Sequence, residues 1–104
     1  MGQDAVAAAV KRFRNALESV NVRVEQLILF GSHASGTARE DSDIDLVVIS
    51  SSFYGKSYWE RIDILTDAVI NAASSIEPSA FTPDEWQSER SLIADYAKNG
   101  ILFS

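Results

Sequence analysis

The chain has 104 residues and 46% hydrophobic residues, with nine Lys and Arg against fifteen Asp and Glu for a formal charge of −6. That length favours one domain over residues 1–104 with a core of modest size. An acidic chain without a basic run excludes a general nucleic-acid binder, which must neutralise phosphate with clustered Lys or Arg, but leaves room for a small anionic substrate escorted by metal ions.

The absence of cysteine excludes a disulfide scaffold, a Cys-ligated zinc site and a thiol nucleophile. No apolar run approaches the roughly 20 residues of a membrane-spanning helix. Asp4 stands where an export signal carries positive charge, and Val6 replaces the Ser or Thr that myristoylation requires after Met1-Gly2. A cytoplasmic location, with no membrane and no stable nucleic-acid binding, is the expectation.

In chain order, Val6, Val10, Phe13, Leu17 and Val20 recur at helical spacing and predict an amphipathic helix over 4–20 with Asp4 as N-cap. Lys11, Arg12 and Arg14 fall mostly off that face and read as solvated. Residues 22–30 end in Leu27-Ile28-Leu29-Phe30, a buried strand stopped by Gly31. Residues 33–42 are small and polar, with room for one or two helical turns. Residues 43–49 give a second buried strand, and 50–57 a loop. A long helix over 58–75 follows, with Trp59, Ile62, Leu65, Val69 and Ala72/Ala73 inward. In 74–81, Pro78 confines any strand to a sheet edge. Thr82-Pro83-Asp84-Glu85 starts a helix running to about Lys98 and stopping at Asn99-Gly100. Ile101 to Phe103 can dock as a final strand. The order α-β-(α)-β-α-β-α defines an α+β fold, a small mixed β-sheet flanked by helices.

The informative stretch runs from Phe30 to Ile49. Gly31-Ser32 closes one strand and opens a short helical segment, while Asp43 and Asp45 begin the next strand. Residues two apart in a strand share a face. Two carboxylates there repel unless a cation lies between them, and hard oxygen ligands suit Mg²⁺ shared with substrate phosphates. Glycine lets a backbone approach a phosphate closely; the serine hydroxyl and neighbouring N–H groups can then donate to it. Asp41, Asp43 and Asp45 superficially begin an EF-hand, but Leu46 and Ser52 occupy the places that need Gly and Glu. Gly55-Lys56-Ser57 lacks the first glycine of a P-loop, since residue 50 is Ser. His33, adjacent to Ser32, is poorly placed as its base and reads as structural or solvent-facing, with a residue that lines a bound nucleotide as the alternative.

Gly31-Ser32, Ala34, Gly36 and Ser42-Asp43-x-Asp45-Leu46 resemble the signature of the DNA polymerase beta-type nucleotidyltransferase superfamily. The short length suggests its minimal nucleotidyltransferase (MNT) branch. The resemblance implies a nucleotidyltransferase (polymerase beta palm-like) fold. Gly31 and Ser32 would hold the phosphates of a nucleoside triphosphate, ATP by expectation, with Ser42 alongside. Asp43 and Asp45 would ligate two Mg²⁺ ions. A third carboxylate comes from a later strand in that family, and Glu77 occupies the matching place; it is the candidate base as well as a ligand. Ser35 stands where many minimal members have Arg, and Arg39 could substitute. The implied reaction is transfer of a nucleotidyl group, AMP by expectation, to a hydroxyl acceptor. Minimal members often pair with a helical HEPN protein in toxin–antitoxin modules, which makes a HEPN-type partner the expected acceptor. Two alternatives stand beside it: a non-catalytic antitoxin that binds its partner or a nucleotide, and an enzyme modifying an aminoglycoside-type small molecule. A homodimer covering residues 76–81 and 101–103 is also expected.

Overall fold

The computed structural model describes residues 2–39, 41–88, 97 and 100–103. Helix α1 (Gln3–Ser19) buries Val6, Ala9, Val10, Phe13 and Leu17. Its N-cap is Gly2, so Asp4 lies inside the first turn, where its charge still complements the helix N-terminus. Val20 follows the last helical turn and is exposed.

Strands β1 (Gln26–Phe30), β2 (Ile44–Ile49), β3 (Ile76–Phe81) and β4 (Ile101–Leu102) form one sheet in the order β3-β2-β1-β4. β1 pairs antiparallel with β2 and β4, whereas β2 and β3 run parallel. Ile44, Leu46 and Val48 point into the main core beneath α1 and helix α3 (Tyr58–Ala72). Val47 and Ile49 point to the other face, into a second cluster with Phe81 and Ala97 that Trp86 partly covers. A strand buried on both faces explains the near-continuous apolar run of β2.

β3 lies at the sheet edge. Ile44 N–H donates to Ser75 O and Ser50 N–H to Phe81 O. In a parallel ladder this alternation turns the backbone groups of residues 76, 78 and 80 outward. Pro78 has no N–H, so it removes one donor from the open edge, as the sequence anticipates.

In α3 the buried residues are Leu65, Ala68 and Ala72, and a Ser57–Glu60 capping box starts the helix. Trp59 is not inward but 72% exposed, and Ile62 and Val69 are only half-buried. At about 100° per residue, Trp59 sits about 120° around the helix from Leu65, beyond the face that meets the sheet. Arg12 is not merely solvated: its Nε donates to Ala72 O at 2.9 Å and its Nη2 to Ser74 Oγ at 3.0 Å, tying α1 to the C-terminal end of α3.

Helix α4 (Pro83–Ser88) begins at the anticipated capping box: Glu85 N–H donates to Thr82 Oγ1 and Thr82 N–H to Glu85 Oε1. The rest of that predicted helix, including Arg90, Tyr96 and Lys98, lies outside the described residues, apart from helical, buried Ala97. Glu85 also takes a 2.6 Å ion pair from Arg61, which holds its carboxyl below the usual glutamate range. Such stabilisation is present above the ordinary value of 4.5 and is lost as pH falls through the lowered one. Glu85→Gln is therefore expected to cost up to about 1 kcal/mol at pH 7, the carboxylate being part-exposed. The gap should narrow as pH falls below 4.5 and through the lowered value of Glu85, in urea titrations monitored by circular dichroism.

Candidate active site

The end of β1, the start of β2 and the start of β3 meet at one end of the sheet. Phe30 is the cross-strand partner of Asp45, and Asp45 is in turn the partner of Glu77. After Phe30 the chain turns at Gly31 (φ +73°, ψ −152°), a conformation essentially reserved for glycine. A Cβ there would overlap Asp45 Oδ2. Helix α2 (Ser32–Ser35) follows and ends on Gly36 in the left-handed region. Ala34 and Ser35 N–H groups both donate to Gly31 O. The sequence anticipated this strand–glycine–short helix unit.

Asp43, one residue before β2, joins the same cluster. Glu77 is pushed above the usual glutamate range, first by a hydrogen bond shared with Asp43, then by Asp43's charge, with burial and Asp45 adding to it. Asp45 is also raised, chiefly by burial; Asp43 adds to this, while Glu77 and His33 oppose it. Three carboxyls thus crowd together with charges that resist coexistence.

Among the described residues they do not form a ready-made metal cage of three converging ligands. The donor chemistry nevertheless fits a hard divalent cation: three carboxylates from two adjacent segments, the start of β2 and the start of β3, drawn together against repulsion. Mg²⁺ characteristically takes one or two carboxylates and completes its shell with water and substrate phosphates, so a preformed protein cage is not required.

The remaining predicted residues lie on α2 or between α2 and β2. Ser32 opens α2. Ser42 braces the preceding loop: its Oγ accepts from Arg39 N–H at 2.8 Å, and its N–H donates to Arg39 O. His33 Nε2 lies 3.1 Å from Ser42 O, linking α2 to that loop. His33 therefore has the structural role its sequence context favoured, with a charge influence on Asp45 that only the fold reveals. Arg39 is exposed. A cavity of about 480 Å³ lies beside α2, lined by Asp4, Leu29, His33, Gly36, Ala38 and Phe103 among others.

A family model described as a nucleotidyltransferase domain matches residues 10–96. The chain is also 48% identical over 42 residues to a "putative protein adenylyltransferase" of Methanocaldococcus jannaschii, a stretch covering 39% of this chain and 42% of that relative. The match thus spans under half the length of the curated relative. The fold is similar to the crystal structure of a "putative nucleotidyltransferase" from Sulfolobus solfataricus, with TM-score 0.57 and 19% identity over 99% of this chain and 88% of that one.

Proposed function

The chain belongs to the nucleotidyltransferase domain family, and on that footing we propose that it transfers a nucleotidyl group, AMP by preference, from ATP to a hydroxyl on a partner protein. The enzyme class is nucleotidyltransferase. The observation that carries the site assignment is the proximity of Asp43, Asp45 and Glu77, close enough to raise the pKa of Glu77 and Asp45, beside the Gly31 turn.

Asp43, Asp45 and Glu77 would hold divalent magnesium, which when bound supplies Lewis acidity at the phosphates and lowers the pKa of a bound hydroxyl. Gly31, having no Cβ, lets the Asp45 carboxylate lie against the turn that would receive the triphosphate. The Ser32 hydroxyl and the adjoining backbone N–H groups donate to the β,γ-phosphates. Arg39, whose N–H donates to Ser42 Oγ, would supply positive charge to the same anion. Glu77 accepts the proton of the attacking hydroxyl. The acceptor oxygen bonds to the α-phosphorus, the bond from that phosphorus to the bridging oxygen breaks, and pyrophosphate leaves with the electron pair.

The protein acceptor is supported by the name of the archaeal relative, and a HEPN-type helical partner in an antitoxin role by the resemblance of residues 31–46 to minimal members. Incubation with α-labelled ATP, Mg²⁺ and the product of the neighbouring gene is expected to label that product. Glu77→Gln should cut labelling by about 10²-fold or more, the scale of general-base catalysis. Full labelling by Glu77→Gln would remove the glutamate from its role. Tight partner binding without label would favour a purely binding antitoxin.

A further inference from the structure

Helix α3 leaves an apolar stripe unpartnered among the described residues. Trp59 is 72% exposed, Tyr58 67% and Ile70 68%. Tyr58 and Trp59 stack edge-to-face on each other, 5.1 Å between centroids. Ile62 and Thr66 continue the stripe at helical spacing towards Ile70. Between this stripe and the β3 edge run cavities of about 560 and 190 Å³ that share Ile62, Leu65 and Pro78 as walls, making one continuous groove. On its other side α3 packs against α1, so the groove lies where a further helix would extend the α1–α3 layer. Exposed Trp and Tyr beside a groove are the residue types that anchor interfaces.

Charge selects the occupant. Asp63 and Asp67 are exposed along the outer flank of the stripe, with no ion pair to either among the described residues. Glu60 lies on the same flank, partly offset by Lys56. Arg61, on the inner side, is matched by Glu85. Two copies of α3 paired antiparallel about a two-fold axis would set these acids against each other, in chains that each carry −6. Strand addition at the β3 edge meets Pro78, which offers no donor.

We propose that the α3–β3 groove docks an amphipathic helix of a partner protein, its apolar stripe covering Trp59, Ile62 and Ile70 and a Lys/Arg flank facing Asp63 and Asp67. The groove is lined by Ile76 and Pro78, on either side of Glu77 in β3, but by none of the three carboxylates, and the proposal does not rest on the transfer reaction.

The test uses two fluorescein-labelled 18-residue helical peptides with the same leucine stripe, one flanked by Lys and one by Glu, titrated with the full chain by fluorescence anisotropy. The Lys peptide should bind at least about tenfold more tightly than the Glu peptide. Trp59→Ala and Ile70→Glu should each weaken it about tenfold or more. Asp63→Lys/Asp67→Lys should invert the preference, and Asp43→Asn should bind as the parent chain does. Two results overturn the proposal: parental affinity in Trp59→Ala, which would place the peptide elsewhere, and a dimer in sedimentation that Ile70→Glu dissolves, which would make the occupant a second copy.

Discussion

Asp45→Asn is expected to cut nucleotidyl transfer about a thousandfold while leaving the fold intact or slightly more stable. Asp45 lies on the ladder between Phe30, the last residue of β1, and Glu77, the second of β3. Removing its charge takes away an oxygen donor from the proposed cation site. Cation assistance of this kind contributes several kcal/mol to transition-state stabilisation. At about 1.4 kcal/mol per decade, losing about 4 kcal/mol lowers kcat/KM by about a thousandfold. The stability effect has the opposite sign. Asp45 carries a raised pKa because burial and Asp43 disfavour its charged form, so a neutral amide relieves crowding without leaving a void. Steady-state kinetics and thermal denaturation on the same sample separate the two effects. A large fall in Tm alongside lost activity would indicate that Asp45 is structural.

Gly31→Ala should impair both folding and activity. Its backbone lies at φ +73°, ψ −152°, where a Cβ costs about 1–3 kcal/mol in backbone strain. The added Cβ also overlaps Asp45 Oδ2. A loss of about 2 kcal/mol in a chain of this size lowers Tm by roughly 8–16 °C. The two contributions can be separated by a cycle with Asp45→Ala, which removes the overlapping carboxylate but not the strain. In that background Gly31→Ala should cost measurably less than in the parent chain. An equal cost in both would mean that the glycine serves the turn alone and does not set the approach of Asp45.

Most of the element order was legible because the signals were local: the apolar spacing of α1, the run ending at Phe30 and the Thr82–Glu85 capping box. The β3 segment was ambiguous in sequence because a proline interrupts it, and only its pairing with β2 makes it a strand. Trp59 misled the reading of α3 because helical spacing identifies a face without saying how wide a face the neighbours cover; α1 and the sheet cover only the part around Leu65, Ala68 and Ala72. In the candidate site, Gly31, Ser32, Asp43 and Asp45 were visible as a contiguous pattern. Glu77 depended on a parallel pairing across more than thirty residues of chain, which no local spacing encodes. His33 was legible as a residue and not as a brace, since its contact with Ser42 O joins residues nine apart that no local spacing pairs.

The central claim is that the Asp43–Asp45–Glu77 cluster supports nucleotidyl rather than phosphoryl transfer. The most direct measurement is a pair of parallel reactions with α-labelled and γ-labelled ATP, each with Mg²⁺ and the protein product of the neighbouring gene, run with the parent chain and with Asp43→Asn. The account predicts acceptor labelled only from α-labelled ATP, pyrophosphate released in equal amount, and neither product with Asp43→Asn. Acceptor labelled from γ-labelled ATP, or α-label transfer undiminished by Asp43→Asn, would contradict it.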